Sequence, residues 1–172
     1  MRIRQTGKRK WGMVLLALPL LLGSCDRLSA VYYYNKGVDY RNKERWDEAI
    51  DDFTKAIELN SKYARAYNGR GIVRAEKGDY EQAISDYNRA IKLEPGEAEF
   101  YVNRGAVYLK KIDFIRAIGD FNRAIEISPN LAGAYHYRGF AHLNRGEQKE
   151  ARRDFISACR LGYQPACQEL KP

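Results

Sequence analysis

Histidine is almost absent from this 172-residue chain. There are two, His136 and His142, beside three cysteines and two tryptophans. A separation of six puts the histidines on different faces of a helix, not at the four-residue spacing of a helical metal pair. Cys25, Cys159 and Cys167 form no C-x-x-C, so the dithiol redox motif is missing. G-x-S-x-G, the P-loop and H-E-x-x-H are missing too. No apolar run reaches the roughly 20 residues that a membrane-spanning helix needs. There is no aligned tryptophan platform for stacking on sugars. These absences argue against an enzyme, a metal or other cofactor, and a small-molecule substrate.

Acidic residues are missing from one place only. Residues 1–24 hold five basic side chains (Arg2, Arg4, Lys8, Arg9, Lys10) and no acid. They account for most of the formal charge of +8; the remainder carries 25 basic against 22 acidic residues. The basicity therefore belongs to the N-terminus and does not imply a nucleic-acid partner. The 45% hydrophobic and 30% charged composition is ordinary for a folded domain.

The basic run leads into an apolar stretch from Trp11 to Leu22, the pattern of a secretory signal. Pro19 argues against a long continuous helix there. Leu22-Gly23-Ser24-Cys25 resembles the lipobox of bacterial lipoproteins. The resemblance implies that residues 1–24 are removed and that Cys25 becomes an acylated N-terminus, anchored to a membrane by its chains. Asp26 resembles the signal that keeps such proteins in the inner membrane, with the outer membrane as the alternative. Residues 25–29 then form a short tether, and its extended length holds the domain within about 15 Å of the lipid.

What fills the rest is repetition. Gly37, Gly71, Gly105 and Gly139 stand 34 residues apart. So do Ala49, Ala83, Ala117 and Ala151; so do Phe53, Tyr87, Phe121 and Phe155; so do Ala56, Ala90, Ala124 and Ala158. Within a unit the alanines and the aromatic recur at spacings of four and three, a helix face. Each unit reads as two helices, the first from near Ala30, Ala64, Ala98 and Ala132, the second from Trp46, Tyr80, Phe114 and Gln148. The aromatic–Gly–Tyr–Ala–Phe–Ala–Pro order resembles the tetratricopeptide repeat over residues 30–165. Arg74 and His142 stand where Tyr40 and Tyr108 occur, and Ser61 and Tyr163 replace the closing proline. The expected fold is all-α: a right-handed α-solenoid with units at 30–63, 64–97, 98–131 and 132–165, then a helical stub at 166–172.

Two further patterns concern stability. Lys36, Arg70, Arg104 and Arg138 each precede a repeat glycine, and Asp52, Asp86, Asp120 and Asp154 follow them by 16 residues. Recurrence in all four units favours structural pairing over a ligand ladder. Cys159 and Cys167 lie eight apart around the end of the last unit. In an exported protein they are candidate disulfide partners that would fasten the stub over the open end.

The repeat family implies a concave groove, lined by the first helix of each unit, that binds peptide segments or partner domains. Tyr34, Asn35, Arg65, Asn68, Glu99, Asn103, His136 and Tyr137 are the candidate lining, with Arg41 and Lys110 nearby. Asparagine amides both donate to and accept from an extended backbone. The cations with which chaperone-binding members clamp a terminal carboxylate are absent: the first three units place Tyr34, Val38, Gly69, Glu99 and Asn103 there. The expected function is a lipid-anchored adaptor of the bacterial envelope, facing the periplasm and binding other envelope proteins. A structural subunit using its ends or convex face, and a cell-wall glycan-binding accessory, are the alternatives.

Overall fold

The computed structural model describes residues 18–171, with side chains from Asp26 onward. The basic run and the start of the apolar stretch, and the side chain of Cys25, lie outside the described residues. Nine helices and no strand occur among the described residues: α1 (Leu18–Asn42), α2 (Trp46–Leu59), α3 (Ala64–Lys77), α4 (Tyr80–Leu93), α5 (Ala98–Lys110), α6 (Phe114–Ile127), α7 (Ala132–Asn144), α8 (Gln148–Arg160) and α9 (Gln164–Gln168). They pair as α1–α2, α3–α4, α5–α6 and α7–α8, and each pair stacks on the next, which makes an all-α solenoid.

The two helices of a hairpin touch through the repeat columns. The ring of Phe53, Tyr87, Phe121 or Phe155 lies against the glycine of the facing first helix, where any β-carbon would stand about 3 Å or less from it. Phe53 also lies against Gly69, so one ring wedges two successive units. The alanines at 49, 83, 117 and 151 are fully or almost fully buried beside these rings. Small and large residues thus interlock, and no unit covers its own apolar face alone.

The first helix departs from the sequence reading. It does not begin near Ala30 but runs unbroken from Leu18, so residues 26–29 are helical and not an extended tether. Pro19 stands in the helix's first turn, where its missing N–H breaks no intrahelical bond. The leucines that follow are good helix formers. At about 1.5 Å per residue the four residues span about 6 Å, less than half the extended reach.

Each hairpin turns through one residue in the left-handed region, again 34 apart: Glu44 (φ 56°), Gly78 (φ 91°), Ile112 (φ 62°) and Gly146 (φ 80°). A β-branched side chain is strained there. Ile112 is also 74% exposed, so packing returns little. Replacing Ile112 with glycine is expected to stabilise the fold by about 1 kcal/mol. A denaturation midpoint that fails to rise would show that the turn relaxes around isoleucine.

The charged column is structural. Arg70, Arg104 and Arg138 each grip the aspartate 16 residues on with two hydrogen bonds of 2.6–3.0 Å. A third link was not foreseen. The free guanidinium nitrogen donates back to the preceding unit, from Arg70 to Thr54 (2.9 Å), Arg104 to Asn88 (2.5 Å) and Arg138 to Asn122 (2.7 Å). These acceptors are themselves 34 apart, so the signal was present in the sequence. The arginines therefore join units as well as the helices within them.

Cys159 and Cys167 are bridged, with Cα atoms 4.9 Å apart. The bridge pins α9 against α8, where Ala166 is fully buried beside Phe155 and Ala158. Ala166 continues the column of Ala64, Ala98 and Ala132, so α9 occupies the start of a fifth first helix.

Candidate functional site

Helices α3 and α5 bring three of the expected lining residues together. Asn103 Nδ2 donates to Asn68 Oδ1 at 3.0 Å, and Asn68 Nδ2 donates to Glu99 Oε1 at 3.3 Å. Asn68 is 6% exposed and lies beneath the other two. It is a positioning residue, not the contact residue that the sequence suggested. Glu99 is exposed and Asn103 half-buried. Beside Glu99 a cleft of about 420 Å³ has Glu97 at its rim and Val102, Ile127 and Leu131 in its wall. A carboxylate at an apolar cleft, with an amide one helical turn along α5, suits an extended backbone carrying an apolar side chain.

A second polar group spans three units. Glu76 of α3 lies within electrostatic reach of Arg41 of α1 and Lys110 of α5, without a direct ion pair among the described residues. Burial raises the Glu76 pKa, and the two cations oppose that rise. Glu76 escaped the sequence reading because its column holds Asn42, Lys110 and Asn144, with no common chemistry. Below lies Tyr87, the one tyrosine in the phenylalanine column. Burial pushes its hydroxyl pKa well up, and the carboxylates of Glu76, Asp86 and Glu99 push the same way. It stays a neutral hydroxyl.

The other expected residues do not join this site. Tyr34 packs on Phe53 and Tyr63, with ring centroids 5.7 and 5.2 Å away. Asn35 and Arg65 are exposed, with no side-chain hydrogen bond or ion pair among the described residues. Tyr137 is partly exposed and stacks on Phe121 at 5.9 Å.

His136 is a correction. It is 7% exposed and enclosed by the rings of Tyr137, Phe140, Phe155 and Tyr163, so it offers nothing to a groove ligand. The cover comes partly from Tyr163, at the closing position where two other units have proline. Neither ring nitrogen has a hydrogen-bond partner. Burial lowers the His136 pKa, against a weaker upward pull from Glu169. The unfolded chain therefore binds this proton more readily than the folded one. Stability from this residue is intact above the ordinary histidine pKa of about 6.5 and falls as pH drops below it. His136→Phe is expected to raise the stability by about 1 kcal/mol at neutral pH, by removing two unpaired buried polar atoms. It is also expected to flatten the decline from pH 7 to 5. Thermal unfolding across that range, with His142→Gln as control, checks both.

Among the described residues no three His, Cys, Asp or Glu side chains are grouped to hold a metal, and no helix is long and apolar enough to cross a membrane.

Stacked helical hairpins of 34 residues with a polar line across their first helices define a class, the α-helical repeat solenoids that present a surface to other chains. Tetratricopeptide repeat models match residues 30–63, 98–131, and both 53–85 and 120–153, and a TPR repeat model matches 71–111. The chain belongs to the tetratricopeptide repeat family. Among solved structures it is similar to MamA, at 25% identity with a TM-score of 0.74 over 88% of each chain. It is also similar to YrrB, described as a TPR protein with an unusual peptide-binding site, at 26% identity with a TM-score of 0.67 over 77% of this chain and 69% of that one. An uncharacterized protein of Methanocaldococcus jannaschii is 50% identical over 38 residues, 22% of this chain and 44% of its own. The chain thus spans less than half the length of that curated relative.

Proposed function

We propose that the protein is a non-enzymatic adaptor that binds an extended segment of a partner protein across α3 and α5, and that an acylated Cys25 holds it at a bacterial envelope membrane. The observation that carries the first half is the Asn103–Asn68–Glu99 chain. A buried amide spends both its groups on fixing two accessible polar side chains, which is preorganisation for a ligand. The similarity to YrrB, with its peptide-binding site, supports a peptide as that ligand. The anchoring half rests on the lipobox resemblance at Leu22–Cys25, and the periplasmic face of the envelope follows from it, with Asp26 favouring the inner membrane.

The groove is tested with the purified full chain on an array of random decapeptides. Glu99→Ala with Asn103→Ala should abolish most of the binding that the wild type shows, with the helical spectrum unchanged. Retention of the same peptides would sink the concave reading and favour the ends or convex face. Cys25→Ala should release the protein from membranes in high salt. Continued membrane fractionation would mean that acylation is not the anchor.

A further inference from the structure

The outer face of α1 is uncovered. Leu28 is 74% exposed, Val31 44% and Tyr32 62%. Tyr32 shares its column with Ala66, Phe100 and Ala134, which are 0, 2 and 0% exposed because the preceding unit covers them. A surface buried in three units is therefore open in the first. Something with apolar character is called for there, and two further observations say what.

The first is a polarity gradient. Position 25, Leu28, Tyr32, Asn35 and Asp39 follow one another at three- and four-residue steps along the same helix, so they share one face. That face goes from leucine, through an amphipathic tyrosine, to an exposed asparagine and an exposed aspartate. The column of Asp39 elsewhere holds Val73, Val107 and Ala141, all buried under the preceding unit. A packed protein helix would need an apolar residue there, and Asp39 opposes it. The second is the far end of the solenoid. Its complementary face on α8 is partly covered by α9, held there by the Cys159–Cys167 bridge, so a second copy could not seat there as one unit seats on the next.

We propose that Leu28, Val31 and Tyr32 form a lipid-contacting face that seats the first repeat on a bilayer. The inference rests on the anchoring reading, since position 25 stands on the same helix face. The dimensions agree. Tyr32 lies seven residues from position 25, about 10 Å along the helix, and Asp39 a further 10 Å or so. Interfacial helices bury their apolar face to about 5–10 Å. Tyrosine is the residue type that settles at headgroup depth. The water boundary thus falls between Tyr32 and Asp39.

The test places a tryptophan at position 32 (Tyr32→Trp) or at position 39 (Asp39→Trp) in the full chain. Both variants keep Trp46, and Trp11 wherever residues 1–24 remain attached, so their difference is the readout. Each is bound to vesicles of phosphatidylethanolamine and phosphatidylglycerol with brominated acyl chains, which quench nearby indoles. The Tyr32→Trp protein should lose several-fold more fluorescence than the Asp39→Trp protein. Equal loss, or none in either while the protein floats with the vesicles, overturns the inference. Mass measurement reports acylation separately. If Cys25 is unmodified, the anchoring reading fails, and preferential quenching by excess vesicles then upholds the lipid face while its absence overturns it. A dimer in sedimentation that Leu28→Ser with Tyr32→Ser dissociates, without preferential quenching, also overturns it in favour of a second copy.

Discussion

Replacing Arg104 with methionine is expected to destabilise the solenoid by about 3–5 kcal/mol, the cost of leaving one partner of a buried pair alone. Arg104 holds Asp120 through two bonds of 2.9 and 2.6 Å and Asn88 of the preceding unit through a third of 2.5 Å. Asp120 is 6% exposed, and no other cation lies within salt-bridge distance of it among the described residues. Its carboxylate would remain buried without a counter-charge. Changing Asp120 to leucine in the same protein should restore most of the loss, because the desolvated charge goes with it. The neighbouring units supply the contrast. Arg70→Met should cost less, since Arg74 also donates to Asp86 at 2.7 Å. In the first unit Asp52 meets two lysines, Lys55 at 3.7 Å from one oxygen and Lys36 at 3.2 Å from the other, which has no well-aligned hydrogen bond. Lys36→Arg should therefore stabilise, by about 0.5–1 kcal/mol, as it supplies the planar fork present in the other three units. Urea midpoints for the four variants order these effects. An Arg104→Met loss no larger than the Arg70→Met loss would mean that water reaches Asp120.

The charged pairs were legible in the sequence because their separation of 16 is constant. The same holds for the glycine, alanine and aromatic columns, whose contacts the fold repeats three or four times. Legibility ends where contacts stop repeating. Asn68, Glu99 and Asn103 could each be named as groove residues, but their bonds span 31 and 35 residues, neither of them the repeat length. Nothing in the pattern said that Asn68 lies below and the other two above. Glu76, Arg41 and Lys110 are one cluster drawn from three units with three different residue types. His136 looked like groove lining because first-helix register puts it there; its burial depends partly on Tyr163, which stands where two of the other units close with proline. The first helix was cut short at Ala30 for the same reason. No earlier unit exists in the sequence against which residues 18–29 could be aligned, so helix propensity was the only signal, and Pro19 was read as a stop when its place in the first turn made it harmless. Regular columns therefore reveal packing, whereas binding surfaces sit where columns differ or run out, and there the three-dimensional neighbours decide.

One chemical change made at two glycines separates packing from propensity. Gly105→Ala is expected to destabilise and Gly119→Ala to stabilise, although both sites are inside helices. Alanine is favoured over glycine in a helix interior by about 1 kcal/mol, so propensity alone predicts the same gain at each. At Gly119 the added methyl meets nothing within 4 Å, and that gain should appear nearly in full. At Gly105 a β-carbon would stand 2.8 Å from Cε1 and 3.0 Å from Cζ of Phe121, and 3.2 Å from Cβ of Asp120. Phe121 is fully buried, and its ring cannot retreat without moving the neighbours that enclose it. The two helices must separate or the ring must leave its rotamer, at about 1–3 kcal/mol, which outweighs the propensity gain. The disturbance would also reach the paired Arg104 and Asp120, which flank that ring on the same two helices, so Gly105→Ala combined with Arg104→Met should cost less than the sum of the two alone. Equal stabilisation at both glycines would mean that α5 and α6 are not held at the separation the Phe121 ring defines.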